Sequence, residues 1–236
     1  MGYYGFYYLD PTYILVLICA ICSMIASARV NSTFRKYDRV RSQTGMTGAQ
    51  AARLLLQRAG ITDVSVEHIR GTLTDHYDPR NKVLRLSDAT YGSASVAAVG
   101  VAAHECGHAM QHDEGYGPLK FRSALVPVAN FGSRAGIPIL LLGLFLGYNQ
   151  TLIQIGIWVF SLAVLFQLVT LPVEFNASRR ALRLLDEQGI LQGQEVGQCR
   201  SVLSAAAMTY VAAAAAAVVQ LLRLILLFGG GRRRDD

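Results

Sequence analysis

Charged side chains are scarce in this chain of 236 residues. They make up 16% of the sequence, whereas hydrophobic residues make up 52%. An average soluble domain is about 25% charged, so the shortage argues against a disordered chain and against an ordinary soluble domain. The composition therefore predicts a membrane protein with a modest polar part.

Cysteine is also rare, and the four cysteines are Cys19, Cys22, Cys106 and Cys199. So few cysteines exclude the disulfide framework of small secreted proteins. Cys19 and Cys22 form a CxxC motif, but the motif lies inside an apolar run. Because a zinc or redox site needs polar surroundings, we interpret both cysteines as apolar side chains of a membrane helix.

Lysine and arginine are absent before Arg29, although an apolar run extends from about Tyr13 to Ala28. With its aromatic flank the run is long enough to span a membrane. A signal peptide would carry positive charge before its apolar core, whereas here the positive charge follows it. Residues 1–28 are therefore predicted to form an uncleaved transmembrane helix whose N-terminus lies outside.

The net charge of +6 does not predict a nucleic-acid partner, because the 22 basic residues lie between apolar segments and form no dense patch on a polar domain. Thirteen of them fall in residues 29–124. The positive-inside rule predicts that this region lies on the cytoplasmic face of the plasma membrane. Membrane lipid is the first expected partner.

Residues 29–124 are predicted to form the main polar region, which opens with a basic linker. Thr47 and Gln50 give a capping-box pattern at the start of a short helix. Alternating runs at Val64–Ile69 and Val83–Leu86 predict two strands, with DPRNK as the turn between them. The expected shape is a small helix packed on a β-hairpin.

The remaining apolar segments predict further membrane helices. Residues 125–173 are predicted to form a transmembrane hairpin, which returns the chain to the side from which it started. Residues 174–201 then form a cytoplasmic helix. In residues 202–236 an apolar helix precedes a basic tail, so its length favours a span and its charge opposes one. The sequence thus predicts a mainly α-helical membrane protein with about four transmembrane helices and a small cytoplasmic α+β region.

The sequence HECGH, which begins at His104, is an HExxH motif inside a predicted helix. Positions i and i+4 share one helix face, so His104 and His108 can bind the same Zn²⁺. Glu105 can take a proton from the attacking water as a general base. Gly107 weakens the helix, which is tolerable if a neighbouring segment must pack closely against it. Two histidines that only stabilise the fold are the alternative interpretation.

A catalytic zinc site needs a third protein ligand, for which the candidates are Glu174, His112, His76 and His68. A straight helix carries His112 about 12 Å along its axis from His104, so His112 would require a break in the helix. Glu174 stands where an apolar helix meets polar chain, and a carboxylate there is costly unless it is paired or binds metal. We favour Glu174 as the ligand, with a salt bridge to Arg179 or Arg180 as the alternative.

Five motifs occur in order along the chain: YLDPTYIL, GTLTDHYDP, VAAHECGHAMQH, LPVEFNASRRAL and AAAMTYVAAAAAAVVQLLRL. Together they resemble the YugP-like family of membrane-bound neutral zinc metallopeptidases, and the resemblance covers nearly the whole chain. It implies a membrane-embedded peptidase with one catalytic zinc ion and a protein or peptide substrate.

A looser resemblance concerns EFNAS, which is similar to the EFxAD segment of the HtpX-type and CAAX-prenyl-type gluzincin peptidases. There the Glu is the third zinc ligand, which implies the same role for Glu174. The Asp of that segment supports a zinc-binding histidine, and its position is Ser178 here. The departure leaves Asn176 or Asp78 as candidates to orient the histidines.

Three further residues are candidates for supporting roles. His76 and Asp78 can support a ligand or an oxyanion, or they can belong to an Asp-Pro turn with local side-chain bonds. Tyr210 lies in the last apolar segment, where its phenol can stabilise an oxyanion or contact a neighbouring helix.

These residues predict a zinc metalloendopeptidase that hydrolyses peptide bonds of membrane or membrane-proximal proteins. The alternative is a catalytically silent, zinc-stabilised membrane scaffold that binds a membrane-protein partner or a second copy of itself. Glu105 argues against the scaffold, since a structural zinc site needs no base. An intramembrane site-2-type protease is disfavoured, because the apolar stretch before HExxH is too short to span.

Overall fold

The structure, a computed structural model, describes residues 12–229, and this part is mainly helical. The helices are α1 (Thr12–Asp38), α2 (Gly48–Arg58), α3 (Asp88–Tyr91), α4 (Val96–Asp113), α5 (Gly117–Phe145), α6 (Gln150–Glu187) and α7 (Gln194–Leu224), which a π-helical turn, Ile225–Gly229, continues. The strands are β1 (Ser65–His68), β2 (His76–Asp78) and β3 (Val83–Leu86). The aromatic N-terminus, residues 1–11, and the basic tail, residues 230–236, lie outside the described residues.

Four helices of the described part are long and apolar enough to cross a membrane. They are Thr12–Asp38, Gly117–Phe145, Gln150–Glu187 and Gln194–Gly229. In each, the apolar window has a mean hydropathy between 1.5 and 2.3. This confirms a mainly α-helical membrane protein with about four transmembrane helices. The last helix, for which length and charge pointed in opposite directions, meets the length and composition requirement for a span.

One compact unit comprises residues 12–25, 126–167 and 212–229 of the described chain. Its buried centre is formed by Leu140, Ile153, Ile157 and Leu224. Helices α5 and α6 follow one another after a short connection and approach closely at Gly156, where a Cβ atom would lie 2.7 Å from the backbone nitrogen of Leu140. The two helices can therefore pack backbone against backbone, as small residues allow in membrane proteins.

The second unit comprises residues 26–125 and 168–211. Its core joins α2, the sheet, α4 and the C-terminal part of α6. Large side chains that are almost fully buried there include Leu55, Leu84, Leu86, Val99 and Leu185. Each such side chain stabilises the fold by about 1.5–3 kcal/mol through removal of apolar surface from water. Helix α2 begins as predicted, with a capping box between Thr47 and Gln50.

The sheet differs from the predicted hairpin. Its strand order is β1-β3-β2, in which β1 runs parallel to β3 and β2 runs antiparallel to β3. The DPRNK turn therefore joins β2 to β3, whereas we expected it to join β1 to β3. Strand β2, His76–Asp78, was missed because its three residues show no apolar alternation. It lies at the sheet edge, where few side chains need to be buried.

Helix α4 carries the HExxH motif through the core of the second unit. The Ser95 hydroxyl caps its N-terminus by accepting a hydrogen bond from the Ala98 backbone nitrogen. At Gly107, a Cβ atom would lie 2.7 Å from the Ala177 carbonyl oxygen on α6. A neighbouring segment therefore does pack closely at Gly107. This contact brings α6 against the helix that carries both histidines.

Two helices run through boundaries that the hydropathy pattern suggested. Helix α1 continues to Asp38, so the basic segment after Ala28 is helical and not the linker that we expected. Arg and Lys are good helix formers, which explains the continuation. Helix α6 likewise runs unbroken from Gln150 to Glu187. Glu174 consequently lies within a long helix, whereas the division of the chain at residue 174 stays a prediction.

Candidate metal centre

Three side chains converge where α4 meets α6. The Oε2 atom of Glu174 lies 3.3 Å from Nε2 of His104 and 3.6 Å from Nε2 of His108. The ligand-type atoms of the three residues all lie within 4.8 Å of one another. The two histidines belong to consecutive turns of α4, and the carboxylate faces them from α6. The structure thus brings together the three residues that the sequence proposed as ligands.

The chemistry of this cluster fits a zinc ion. Two ligands that are each about 2.0–2.1 Å from a tetrahedral zinc lie about 3.3–3.4 Å apart, close to the separations between Glu174 and the histidines. Within the described chain, Oε2 of Glu174 is buried and accepts no hydrogen bond. A buried oxygen without a donor is costly. Two imidazoles and one carboxylate are also a donor set of catalytic zinc sites, which keep a further position open.

His104 is oriented from α6. Ser178 Oγ lies 3.1 Å from its Nδ1 atom, and Ser178 stands one helical turn after Glu174. A hydroxyl can accept the Nδ1 proton, which leaves the Nε2 lone pair facing Glu174. The structure therefore places Ser178 itself in the role for which Asn176 or Asp78 was expected. The small serine side chain reaches the ring because α4 and α6 approach so closely at Gly107.

His108 is oriented by Gln111, a residue that the sequence reasoning missed. The Gln111 Oε1 atom lies 3.0 Å from His108 Nδ1, and Gln111 is fully buried. Its amide nitrogen donates to the Val173 carbonyl and to Asn176 Oδ1, each at 2.9 Å. Asn176 therefore contacts Gln111, which in turn contacts His108, whereas we expected Asn176 to contact a zinc-binding histidine directly. The available signal was the spacing, because Gln111 follows His108 by three residues on the same helix.

Glu105 points into a cavity beside the cluster. It is only 8% exposed, and one of its oxygens accepts a hydrogen bond of 2.9 Å from the Tyr77 backbone nitrogen. Edge strand β2 therefore holds the carboxylate that the HExxH motif assigns as the base. Glu105 lines the same cavity as His104 and Glu174, which leaves it accessible to a small molecule such as water.

This cavity has a volume of about 450 Å³ and lies within the second unit. Tyr210 of α7 lines it together with His104, Glu105 and Glu174. The remaining wall combines the apolar side chains of Val30, Leu73, Val101, Leu203, Ala206 and Ala207 with the polar side chains of Ser27, Asn31, Asp75, Ser178 and Thr209. Tyr210, proposed from the sequence as an oxyanion donor or a helix contact, therefore shares one cavity with the candidate base and two candidate ligands.

The other sequence candidates lie elsewhere. Nδ1 of His76 contacts the Thr74 carbonyl oxygen, and Asp78 pairs with Arg85 at 3.0 Å. Hydrogen bonds from Asn81 and Arg85 hold the pKa of Asp78 well below its usual value. The Asp78 carboxylate thus stabilises the turn between β2 and β3.

The two remaining histidine candidates for the third ligand also have other partners. His112 contacts the Tyr77 hydroxyl at 2.8 Å, and His68 pairs with Asp88 at 2.7 Å. Burial, together with nearby carboxylates, raises the pKa of Tyr77 to about 12, so its phenol stays protonated. The metal-type cluster of the described residues contains neither His112 nor His68.

Arg122 is a second residue that the sequence reasoning missed. Its Nη1 atom lies 3.3 Å from Oε1 of Glu174. The sequence suggested Arg179 or Arg180 as the partner of Glu174, but Arg180 forms a two-pronged ion pair with Glu114. The partner of Glu174 comes from α5, a different helix, and the sequence around Arg122 contains no motif that signals this contact.

Comparisons with known proteins agree with the geometry. A family model described as "Putative neutral zinc metallopeptidase" matches residues 12–229. The chain is 49% identical over 201 residues to the "Putative membrane protease YugP" of Bacillus subtilis (strain 168), which covers 85% of this chain and 89% of that protein. No solved structure gives a significant match.

Proposed function

The chain belongs to the family of neutral zinc metallopeptidases, and on that premise we propose that it is a zinc endopeptidase cleaving membrane or membrane-proximal proteins. The observation that carries the proposal is the cluster of His104, His108 and Glu174, with Glu105 in the cavity that His104 and Glu174 also line. A purely helix-stabilising role for the histidines would not explain a buried carboxylate oxygen without a donor.

His104, His108 and Glu174 would hold one Zn²⁺. When bound, the ion would polarise the peptide carbonyl and acidify the attacking water. Ser178 and Gln111 fix the two imidazole rings through their Nδ1 atoms. Both rings then present Nε2 to the same point, which lowers the cost of ordering them when a cation binds.

Glu105 is the proposed general base. Its carboxylate takes one proton from the water as the water oxygen attacks the carbonyl carbon, and it then delivers that proton to the leaving amine nitrogen as the C–N bond breaks. The Tyr77 backbone nitrogen holds one oxygen of Glu105. Among residues 12–229 no hydrogen bond occupies the other oxygen, which can exchange the proton, so the restraint orients the base without blocking it.

Tyr210 is the proposed donor to the oxygen of the attacked carbonyl. Its phenol shares the cavity with Glu105 and Glu174, and a fixed donor stabilises negative charge that develops in the transition state. His76 and Asp78, which were candidates for the same role, are bonded to the Thr74 carbonyl and Arg85. Tyr210 is therefore the candidate that the cavity favours.

The cavity wall supports a substrate with apolar side chains. Val30, Leu73, Val101 and Leu203 surround the space next to the proposed base. Such side chains are abundant in segments that enter or leave a bilayer. Membrane lipid surrounds the four apolar helices, and we infer from the positive-inside rule that the site faces the cytoplasm of a bacterial cell.

A catalytically silent zinc scaffold is the second candidate, with a membrane-protein partner or another copy of the chain as its ligand. Structural zinc sites are closed, usually by four Cys or His ligands. Here two of the three ligand-type residues, His104 and Glu174, border a cavity that Glu105 also lines. The open side and the carboxylate favour the enzyme.

The test is Glu105→Gln, with cleavage of an unfolded protein substrate and zinc content both measured in detergent. We expect the variant to keep its zinc and to lose cleavage by at least about a hundredfold, since general-base catalysis typically contributes that much. Glu187→Gln, which changes a solvent-exposed carboxylate at the end of α6, is the matched control. Wild-type cleavage by Glu105→Gln would refute the mechanism.

A further inference from the structure

The two oxygens of Glu174 have different surroundings. Oε2 faces the Nε2 atoms of His104 and His108. Oε1 lies 3.3 Å from Nη1 of Arg122, which belongs to the second turn of α5. The Glu174 carboxylate therefore faces the two histidines with one oxygen and Arg122 with the other.

The contact with Arg122 balances the negative charge of the buried Glu174 carboxylate. The Glu174 side chain is 4% exposed and that of Arg122 is 29% exposed. A carboxylate buried to this degree needs positive partners, and beside the proposed metal ion the Arg122 guanidinium supplies a permanent one. Across residues 12–229, Arg122 is the one permanently charged cation paired with Glu174 within 4 Å.

Arg122 pairs with Glu174 although another arginine lies closer to Glu174 in the sequence. Arg180, which lies closer along the chain, is bonded to both oxygens of Glu114. Its Nε atom donates to Asn176 at 2.7 Å. Arg180 is thereby held away from Glu174, and Oε1 remains free to pair with Arg122.

We propose that Arg122 is a positioning residue that retains Oε1 and makes Glu174 a one-oxygen zinc ligand through Oε2. The inference rests on the proposed role of Glu174 as third ligand. A guanidinium presents its donors in a fixed plane, so it restrains the rotation of the carboxylate as well as balancing its charge. If both oxygens were free, the carboxylate could occupy two positions around the metal. One of these is needed by water or by the substrate carbonyl.

The test compares Arg122→Gln with Lys120→Gln, a control that removes a positive charge from the same stretch of α5. The purified proteins are saturated with Co²⁺, whose visible absorption weakens when its coordination number rises. We expect Arg122→Gln to weaken this absorption at least twofold and Lys120→Gln to leave it unchanged. Zinc affinity, measured by competition with a chelator, is expected to fall about 10–100-fold in Arg122→Gln.

A cobalt spectrum of Arg122→Gln that matches wild type overturns the inference, whatever the zinc affinity. Arg122→Met, which keeps the aliphatic volume, serves as the second variant and carries the same expectation if Arg122→Gln does not fold. Glu174→Ala separates the two proposals. Retention of wild-type zinc affinity by Glu174→Ala removes the proposed third ligand and the inference with it. If Glu174→Ala loses zinc and both Arg122 variants keep the wild-type cobalt spectrum, the role of Glu174 as third ligand stands and the positioning role of Arg122 is wrong.

Discussion

Ser178 Oγ lies 3.1 Å from the Nδ1 atom of His104, one helical turn after Glu174 on the same helix. One turn of α6 therefore supplies both a candidate ligand and the group that orients another ligand. The HtpX-type and CAAX-prenyl-type peptidases, which the EFNAS segment resembles, have aspartate at the position of Ser178. A serine hydroxyl makes the same contact without adding a negative charge beside the histidine.

This relationship predicts opposite effects of two substitutions at one position. Ser178→Ala removes the partner of His104 Nδ1, and we expect zinc affinity to fall about 10–100-fold. Ser178→Asp restores a charged acceptor, which makes the imidazole more basic, and we expect affinity at or above the wild-type value. Chelator competition measures both. Equal affinities for all three proteins would show that the contact does not orient His104.

Gly107 predicts a stability effect that depends on helix packing. Gly107→Ala would place a Cβ atom only 2.7 Å from the Ala177 carbonyl oxygen. We expect the free energy of unfolding to fall by about 1–3 kcal/mol because α4 and α6 must separate. Gly197→Ala is the matched control, since nothing lies within 4 Å of its added Cβ atom. In a helix this control should raise stability by up to about 1 kcal/mol, and thermal unfolding in detergent compares the two.

Tyr210 predicts a kinetic effect without loss of metal. We expect Tyr210→Phe to lower kcat about 100–1,000-fold, as removal of an oxyanion donor does, while KM and zinc content stay near wild type. Steady-state kinetics on a fluorogenic peptide provide the measurement. A kcat within threefold of wild type would assign Tyr210 to helix packing instead.

The apolar cavity wall predicts an effect on substrate binding. Ala206 lines the cavity, and Ala206→Leu should raise KM several-fold for peptides with large apolar side chains, because the added side chain fills the space they need. Ala205→Leu is the control, since Ala205 lines a separate groove that also contains Arg29 and Lys36. If both variants change KM equally, the cavity is not the substrate site.

Much of the helical architecture followed from the sequence, because each long apolar run is a local property of the chain. The HExxH spacing likewise placed His104 and His108 on one face of α4. Strand β2 could not be found in the same way, since His76, Tyr77 and Asp78 give no alternating pattern. Its position depends on pairing with β3 and on the bond from Tyr77 to Glu105.

The surroundings of the candidate ligands were the least predictable part. Gln111 lies on the same helix as His108, but its hydrogen bonds to α6 depend on tertiary packing. Arg122 reaches Glu174 from a different helix, α5. Ser178 was recognised as the position of a missing aspartate, but serine in place of that acid suggested that another residue had taken over. Only the close approach of α4 and α6 at Gly107 explains how the shorter side chain still reaches His104.

The central claim is that Glu174 completes a zinc site with His104 and His108. The most direct measurement is the zinc content of detergent-purified protein for wild type, Glu174→Ala and His112→Ala. The geometry predicts about one zinc ion per wild-type chain, loss of zinc from Glu174→Ala and retention by His112→Ala, whose side chain contacts Tyr77 instead. Loss of zinc from His112→Ala with retention by Glu174→Ala would contradict the account and place the metal on one helix and its following loop.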